Sequence, residues 1–201
     1  GVQRIPLEVC SMGIIDSLAQ RRTYYHINKK LPVSEDAVVK TVEKVVELVP
    51  DAFNMHSQRV VIALGDKQNQ LWDAAYDAFK GEVVREKLDS FKAGAGTILY
   101  FIDQKTVTSL QKQYPLYVDN FPIWAQQSNG MLQISVWSAL RELDVAASLQ
   151  HYDPVIDDAV YKLFNVPRDY KLVGEMPFGG IGAKPDPKEP EDVTLRVSVA
   201  R

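Results

Sequence analysis

The chain has 201 residues and a mass of 22.6 kDa, enough for one domain with a substantial core or for two small domains. Hydrophobic residues make up 46% and charged residues 24%, which excludes a collagen, a disulfide-rich scaffold and an intrinsically disordered chain. A net charge of −3 and a pI near 5.7 argue against a nucleic-acid-binding protein. Cys10 is the single cysteine, and no apolar run approaches the length of a membrane span. We therefore expect a cytoplasmic protein with neither a nucleic-acid nor a membrane partner.

Two helices are predicted near the start of the chain. Residues 14–20 form a short helical pattern that ends at the basic pair Arg21-Arg22. A second helix is predicted to begin after Ser34, because its hydroxyl is a favoured N-cap and two acidic residues follow it. This helix ends before Pro50, which cannot continue it. Valines recur along it at helical spacing and predict one buried face: Val38, Val39, Val42, Val45, Val46 and Val49.

Two strands and a third helix follow. Residues 59–64 are rich in β-branched side chains and are closed by Gly65-Asp66, which predicts a strand. Residues 97–102 are apolar on both faces, as expected of a central strand. Between these strands, an apolar stripe at helical spacing stops at Gly81, a residue type that commonly ends helices. The stripe comprises Leu71, Trp72, Ala75, Tyr76 and Phe79.

The second half of the chain begins with a long apolar segment. Residues 122–143 are apolar almost all round a helix, which is typical of a helix buried in a core or at a subunit interface. Two strands are predicted near residues 145–149 and 171–176, with a helix from Asp153-Pro154 to Asn165 between them. These elements predict an α+β or α/β fold with about five strands and more helix than strand.

The C-terminal end has two parts. Residues 183–192 are rich in Pro, Lys, Asp and Glu and predict an extended, exposed arm. Residues 193–199 alternate strictly between apolar and polar side chains, which predicts a half-buried edge strand.

Several familiar sites are missing from the sequence. It contains neither the Gly-x-Gly-x-x-Gly of dinucleotide-binding folds nor the Gly-x-x-x-x-Gly-Lys-Ser/Thr phosphate loop. His26, His56 and His151 are far apart, and none forms a His-x-x-x-His pair. No metal site is therefore predicted.

Polar side chains collect instead where predicted elements end. Arg21-Arg22-Thr23 follows the first helix, where two cations and a hydroxyl suit a phosphate; the alternative is a solvated helix end. Residues 51–58 carry five polar side chains between a helix and a strand, a common place for a ligand and equally for an ordinary turn. His151 follows a predicted strand, where ligands collect in α/β sheets. The alternative is a structural histidine.

These clusters and several longer motifs resemble the FMN-dependent nitroreductase family in their order along the chain. Three motifs carry this resemblance: Arg21-Arg22-Thr23, Pro50-Asp51-Ala52-Phe53-Asn54 and Met176-Pro177-Phe178-Gly179. Three longer segments are more specific: residues 90–94, 114–124 and 147–152. They resemble the branch that contains the fungal fatty-acid-repression proteins and the copper-induced bacterial nitroreductases. The resemblance covers nearly the whole chain after about Ser11.

The resemblance implies a three-layer α/β/α fold of the α+β class, in which helices flank a mostly antiparallel sheet of about five strands. It implies a homodimer with FMN at the interface and NAD(P)H as the electron donor. Residues 13–182 would form the FMN-binding domain, and residues 183–201 an arm whose strand is exchanged between subunits. Residues 1–12 would be an N-terminal segment, and Gly1 in place of Met leads us to expect a processed or partly vector-derived end there.

The resemblance also implies particular contacts with the cofactor. The FMN phosphate and ribityl chain would be bound by Arg21, Arg22, Thr23 and Lys188, with Arg196 a weaker candidate. The partner subunit would contribute Asp51, Ala52, Phe53, Asn54, His56 and Ser57. Ser90 and Lys92 would approach the pyrimidine edge. Leu149, Gln150 and His151 would lie along the flavin ring, where backbone N–H groups of Gln150 and His151 would face N5.

These roles agree with the chemistry of flavins. A phosphate with a charge near −2 needs cations or backbone donors in place of water. Reduction places charge near N1 and O2 of the flavin, so a cation such as Lys92 would favour it. Hydride transfer requires the nicotinamide carbon to be held close to N5 and needs no side-chain nucleophile. No residue is therefore expected to be catalytic through its side chain.

The sequence departs from the family pattern at two places. Tyr25 stands where many members carry a second basic residue, which leaves the stabilisation of N1 to Lys92 or to backbone donors. Met55-His56 stands where this branch often has Ser-Gln.

The predicted function is that of an FMN-dependent NAD(P)H oxidoreductase that reduces nitroaromatics or quinones in alternating half-reactions, as part of a stress or detoxification response. Five aromatic side chains are candidates for the wall of the substrate pocket, each with plain core packing as the alternative: Phe53, Tyr117, Phe121, Trp124 and Tyr152. Two other functions remain open. One is a flavin-binding regulatory or stress-sensing protein with incidental reductase activity, and the other is a structural dimer without a cofactor.

Overall fold

The computed structural model describes residues 13–201, so Cys10 and the N-terminal segment lie outside the described residues. The described chain contains seven α-helices: α1 (Ile14–Gln20), α2 (Glu35–Leu48), α3 (Asp66–Ala78), α4 (Arg85–Lys92), α5 (Gln104–Gln113), α6 (Asn120–Glu142) and α7 (Asp157–Phe164). It contains five strands: β1 (Ile27–Asn28), β2 (Gln58–Leu64), β3 (Gly96–Asp103), β4 (Ala146–Ala147) and β5 (Tyr170–Ile181). Short 3₁₀ helices occupy Ala52–Asn54, Pro115–Tyr117 and Val193–Leu195.

The five strands form one antiparallel sheet in which β5 is the longest member. β2 pairs with β3, and β3 pairs with one edge of β5 in a register that sets Leu99 opposite Glu175. The other edge of β5 pairs with β1, with β4 and with the isolated residue Gln150. Two segments with predicted polar clusters therefore lie along this second edge: the segment that leads into β1 and the segment that follows β4.

The helices cover both faces of the sheet. Successive residues of a strand point to opposite faces, so Ile98 and Tyr100 of β3 pack under α2 and α6. Leu99 and Phe101 pack on the other face, under α3, α4 and α7. This arrangement confirms the expected three layers and the mostly antiparallel sheet. It also explains why β3 is apolar throughout, since the strand is buried from Gly96 to Ile102.

Most of the predicted helices are confirmed close to their expected ends. The Ser34 side chain accepts a hydrogen bond of 3.0 Å from the Ala37 N–H and so caps α2. α6 extends two residues further toward the N-terminus than predicted and buries one face on the sheet. No helix among residues 13–201 is long and apolar enough to cross a membrane.

Several element assignments from the sequence were wrong or missing. The strand predicted at 145–149 is limited to Ala146–Ala147, because Pro177, which accepts the next hydrogen bond from Ser148, has no N–H to return one. The helix predicted from Asp153-Pro154 begins only at Asp157. β1, α4 and α5 were not predicted; α4 and α5 carry few apolar residues, so their helical period is weak in the sequence.

The predicted edge strand at residues 193–199 is wrong within this chain. Val193–Leu195 forms an exposed 3₁₀ turn, and residues 196–201 have no regular structure. The Asp192 side chain accepts a hydrogen bond from the Thr194 N–H, 3.1 Å away, and so favours the turn. Residues 193–199 do not pair with any strand among the described residues. The arm at 183–192 is extended and exposed, as predicted.

A glycine in the Met-Pro-Phe-Gly motif allows β1 to approach β5. A Cβ atom on Gly179 would overlap the carbonyl oxygen of Asn28, so a larger residue would push β1 away. The motif thereby places the segment just before β1, which contains the Arg21-Arg22-Thr23 cluster, beside the middle of the sheet.

Candidate functional site

A basic cavity of about 510 Å³ lies between the end of α1 and the C-terminal arm. One wall comes from the segment between α1 and β1: Arg21, Arg22, Thr23, Tyr25 and His26. The facing wall comes from the arm: Ala183, Lys184, Pro185, Asp186 and Lys188. The structure therefore brings Lys188 to the arginine cluster within a single chain.

Arg21 is the most constrained cation of this cavity. Its guanidinium lies 4.3 Å from the ring centroid of Trp137 on α6. Its Nε atom is buried and has no acceptor among the described residues. Burial, and then the charge of Arg22, lower the pKa of Arg21. A donor left unpaired next to a like charge is expected where an anion binds.

The remaining cations leave the cavity positively charged. Arg22 donates a 2.7 Å hydrogen bond from Nη2 to the backbone oxygen of Asp186, which ties the arm to the opposite wall. Among residues 13–201, no carboxylate forms a salt bridge with Arg21, Arg22, Lys184 or Lys188. This donor set fits a phosphate group.

The segment after β4 runs beside this cavity. The Tyr24 N–H donates to the Ala147 carbonyl at 3.0 Å, and Trp137 Nε1 donates to the same oxygen at 3.2 Å. The outer edge of residues 147–151 therefore faces the chain segment that lines the cavity. His151 itself is exposed at the end of this edge.

Backbone hydrogen bonds distinguish the two residues that were expected to face N5. The Gln150 N–H donates to the Glu175 carbonyl at 2.7 Å, inside the sheet, and is not available to a ligand. The expectation for the Gln150 N–H is therefore corrected. The His151 N–H has no acceptor among the described residues. Because strand residues alternate in direction, His151 points to the same edge as the Ala147 carbonyl.

A second cavity, of about 440 Å³, has an aromatic wall. It is lined by Pro50, Asp51, Ala52, Phe53, Trp124, Gln127, Ser128 and Met131. The Phe53 ring stacks on Trp124 at 5.7 Å between centroids and 16° between planes. Tyr117 lies 5.8 Å from Phe53. Three of the predicted aromatic residues thus form one exposed surface.

The loop that carries Phe53 is held by Asp51. The Asp51 carboxylate accepts hydrogen bonds from the N–H of Ala52 and from both the N–H and the hydroxyl of Ser57, at 2.6–2.8 Å. These bonds stabilise positive φ angles at Phe53, Asn54 and His56. Both oxygens of the Asp51 carboxylate thus accept hydrogen bonds from residues of the same loop.

Met55-His56 divides between the core and the surface. Met55 is buried against Ile102 and Phe121, so it anchors the loop, and His56 is exposed. The departure from Ser-Gln therefore places one apolar residue in the core and leaves one polar side chain outside.

Two predicted pocket residues have other positions. Tyr152 lies on the opposite face of the sheet, with its ring 5.4 Å from Phe79 and 6.1 Å from Trp72. Phe121 is fully buried beneath Phe53. Core packing therefore describes both residues, and they do not line the exposed wall.

Ser90 and Lys92 lie on α4 and line neither cavity. The Lys92 ammonium donates to Asp73 at 2.9 Å, and this hydrogen bond is the main cause of the lowered pKa of Asp73. Ser90 donates its hydroxyl to the Lys87 carbonyl. In this chain, both polar groups are satisfied within the layer formed by α3 and α4.

Arg196 is also placed apart from the basic cavity. Its guanidinium pairs with Glu191 on the exposed arm. Lys184 and His26 line the cavity and were missed from the sequence. Lys184 could have been identified by its position in the same cationic arm as Lys188, whereas the place of His26 depends on the pairing of β1 with β5.

The two cavities lie at different points along α6. Trp137 supports the basic cavity and Trp124 the aromatic one, so about 20 Å of helix axis separates them at 1.5 Å per residue.

Comparison with known proteins identifies the family. The profile of the Nitroreductase family matches residues 18–180, most of the chain. The chain belongs to the nitroreductase family. It is therefore an oxidoreductase of an FMN-binding family, with the α+β nitroreductase-like fold.

The relatives include proteins of the branch that the motifs indicated. Nitroreductase CinD from Lactococcus lactis is 43% identical, with a TM-score of 0.89 over 94% of this chain and 100% of that chain, and was solved with chloramphenicol and with 4-nitrophenol. Nitroreductase FRM2 of Saccharomyces cerevisiae is 31% identical over 177 residues, or 87% of this chain and 91% of that protein. A more distant protein from Exiguobacterium sibiricum shares the fold at 13% identity and a TM-score of 0.69, over 94% of this chain and 98% of that chain, and was solved with FMN.

Proposed function

We propose that this nitroreductase-family protein is an FMN-dependent NAD(P)H oxidoreductase that reduces nitroaromatics or quinones in alternating half-reactions. The observation that carries the proposal is the basic cavity, in which Arg21 has an unpaired buried donor. The outer edge of residues 147–151 runs beside that cavity and ends at the unpaired His151 N–H. A phosphate site next to a backbone donor is the arrangement that a flavin mononucleotide requires.

The residues of the cavity fit the phosphate end of FMN. Arg21, Arg22, Lys184 and Lys188 supply charge, and the Thr23 hydroxyl supplies a further donor. The bound flavin would supply the capacity to accept a hydride and pass electrons on. The protein's part is to fix the phosphate and to direct the His151 N–H toward the ring nitrogen N5. Lys92, whose ammonium is paired with Asp73, would reach the flavin only by breaking that ion pair.

Substrate binding is assigned to the aromatic surface. Phe53, Tyr117 and Trp124 offer exposed or half-exposed rings on which a planar nitroaromatic or quinone can stack. The complexes of the Lactococcus relative with 4-nitrophenol and chloramphenicol support this substrate class.

We assign these two sites to a homodimer. Because about 20 Å of α6 separates the basic and aromatic cavities, the loop at residues 51–57 would serve the flavin of the other subunit. Exposed apolar side chains on the described surface support such an interface: Ile14, Ile15, Leu18, Ile123 and Met131. Every second side chain of the C-terminal segment is apolar and exposed, at Val193, Leu195 and Val197. This segment would pair as a strand with the partner's sheet, so that the two subunits exchange their C-terminal segments.

The cofactor assignment is tested by visible spectroscopy and titration. Purified protein is expected to be yellow and to release FMN on denaturation, and apoprotein is expected to bind FMN more tightly than riboflavin. A colourless protein that gains no flavin spectrum on addition of FMN would contradict the proposal and favour a structural dimer.

A further inference from the structure

Glu175 is a fully buried carboxyl group that contacts the segment carrying His151 three times. Its backbone exchanges two hydrogen bonds with Gln150, at 2.7 and 2.9 Å. Its Oε1 atom accepts a third bond, of 2.6 Å, from the Tyr152 N–H. The side chain is entirely shielded from solvent within β5.

The side-chain bond takes the place of a backbone bond that the sheet cannot supply. β4 ends at Ala147, and beyond it backbone hydrogen bonds to β5 are made by Ser148 and Gln150. The Ser148, Gln150 and Tyr152 N–H groups all donate toward β5, the last of them to the Glu175 carboxyl. His151 lies between two N–H groups that are held in this direction, so its own N–H is fixed toward the opposite edge.

The surroundings of Glu175 favour an uncharged carboxyl. Burial first, and then Asp153, raise the pKa of Glu175 to about 9. Two neighbouring aspartates, Asp153 and Asp157, also have buried oxygens without hydrogen-bond partners among the described residues. Burial raises the pKa of Asp157, and Lys171 partly opposes this. Leu99, opposite Glu175 on β3, belongs to an apolar cluster. The Tyr152 ring packs against three aromatic rings of the same region: Trp72, Phe79 and Phe91.

We propose that Glu175 is a positioning residue for the flavin: through its hydrogen bond to the Tyr152 N–H, its buried carboxyl fixes the direction in which the His151 N–H meets N5. This role rests on the proposed function. An uncharged carboxyl would hold the peptide without adding a negative charge near a cofactor that gains electrons. Glutamine can do the same, because its amide accepts one hydrogen bond and donates another.

The test uses the full-length protein loaded with ¹⁵N-labelled FMN and compares three variants. Glu175→Met removes the acceptor at similar length, Glu175→Gln keeps it, and Leu99→Val perturbs the same cluster from the strand opposite without touching the hydrogen bond. The readouts are the ¹⁵N5 chemical shift of oxidised bound flavin and the rate constant of its reduction by NAD(P)H.

Glu175→Met is expected to move the N5 shift toward that of a flavin without a hydrogen bond at N5 and to slow reduction about tenfold. Glu175→Gln is expected to restore the wild-type shift, and Leu99→Val to leave it unmoved. A Glu175→Met protein with the wild-type shift and rate would overturn the positioning role alone. A wild-type protein that binds no FMN would overturn the proposed function as well.

A pH titration keeps the inference testable if Glu175→Met does not fold. The wild-type N5 shift is expected to change as the pH rises through the pKa of Glu175, about 9, whereas the Glu175→Gln protein should show no such step. The same step in both proteins would overturn the proposal, because an amide at this position does not titrate.

Discussion

At the scale of single residues, the charge state of a group follows from what surrounds it. Arg21 is buried beside another cation and has an unpaired donor, so its natural partner is an anion. Lys92 has the opposite arrangement, because its charge is already neutralised by Asp73. Arg21 therefore has a donor available to bind a phosphate, whereas Lys92 does not.

Removing a cation from the basic cavity should weaken the binding of FMN selectively. Arg21→Ala or Lys188→Ala is expected to lower FMN affinity about tenfold or more, since a charge-assisted contact is lost. Riboflavin, which has no phosphate, should bind almost unchanged. Titration of each apoprotein with both flavins measures the difference. Lys112→Ala, on the distant helix α5, serves as the control. An equal loss for riboflavin would show that the cavity does not bind the phosphate.

His151 is expected to act through its backbone. His151→Ala should retain bound FMN and measurable reduction by NAD(P)H, because the N–H that faces the outer edge remains after the imidazole is removed. Stopped-flow measurement of flavin reduction checks this. A fall of several orders of magnitude with the flavin still bound would assign the chemistry to the side chain.

Glu175 should make stability depend on pH. The carboxyl is neutral in the folded protein up to a pKa of about 9 but ionises in the unfolded chain above its ordinary value of 4.5. The contribution of Glu175 to stability is therefore complete below pH 4.5 and is lost as the pH rises toward the pKa of about 9 in the folded protein. Relative to Glu175→Gln, the free energy of unfolding of the wild type should fall by up to about 1.4 kcal/mol per pH unit in this window.

Chemical denaturation of both proteins at about pH 5.5, 7 and 8.5 measures this slope. Comparison with the glutamine variant removes the contributions of Asp153 and Asp157, which both proteins share. A difference in stability that stays constant with pH would mean that Glu175 is charged in the folded protein.

At the scale of elements, the loop before β2 depends on one carboxylate. Asp51→Ala leaves the N–H of Ala52 and the N–H and hydroxyl of Ser57 without their acceptor. It is expected to cost about 1–3 kcal/mol and to raise the KM for a nitroaromatic as Phe53 loses its position. Asp36→Ala, which removes an exposed ion pair with Lys40 at the other end of α2, is the control. A variant with unchanged stability and KM would contradict the role given to Asp51.

The sequence predicted the elements whose signals are local. The Ser34 cap, the valine stripe of α2 and the apolar β3 each follow from residues close together in the chain, and all are confirmed. The segment at 193–199 has the alternating pattern of a strand, but no strand of its own chain pairs with it, so it does not form one. The division between Gln150 and His151 likewise depends on the register with β5, which the sequence does not contain.

The sequence predicted which motifs form the candidate site, but not which residues the motif side chains contact. Arg21, Arg22 and Lys188 were placed correctly together, because the family motifs mark them. Tyr152 was a candidate for the pocket wall and instead packs against Trp72 and Phe79, because the face it occupies depends on the register with β5. Glu175 gave no signal, since a single acidic residue in an apolar strand pattern does not reveal what it contacts.

At the scale of the whole molecule, the C-terminal arm is proposed to couple cofactor binding to assembly. Lys184 and Lys188 form one wall of the basic cavity, and Arg22 holds the arm through the Asp186 carbonyl. The exposed alternating side chains that follow are proposed to pair with the partner. Loss of the arm should therefore affect both properties.

Deletion from Ala183 onward is expected to lose FMN and to weaken the dimer together. Flavin content from the visible spectrum and oligomeric state from sedimentation test this. Deletion from Val193 onward, which keeps Lys188, should weaken the dimer with less loss of phosphate contacts. A protein truncated at Ala183 that remains a tight dimer with full FMN content would show that the arm serves neither purpose.

The central claim is that this nitroreductase-family chain transfers electrons through bound FMN. Its most direct test is anaerobic stopped-flow spectroscopy of the flavin band in the purified protein. Addition of NADH or NADPH should bleach the band, and subsequent addition of a nitroaromatic or quinone should restore it at a rate that supports turnover. A flavin that is bound but is neither reduced by a nicotinamide nor reoxidised by these acceptors would contradict the claim and favour a regulatory flavoprotein.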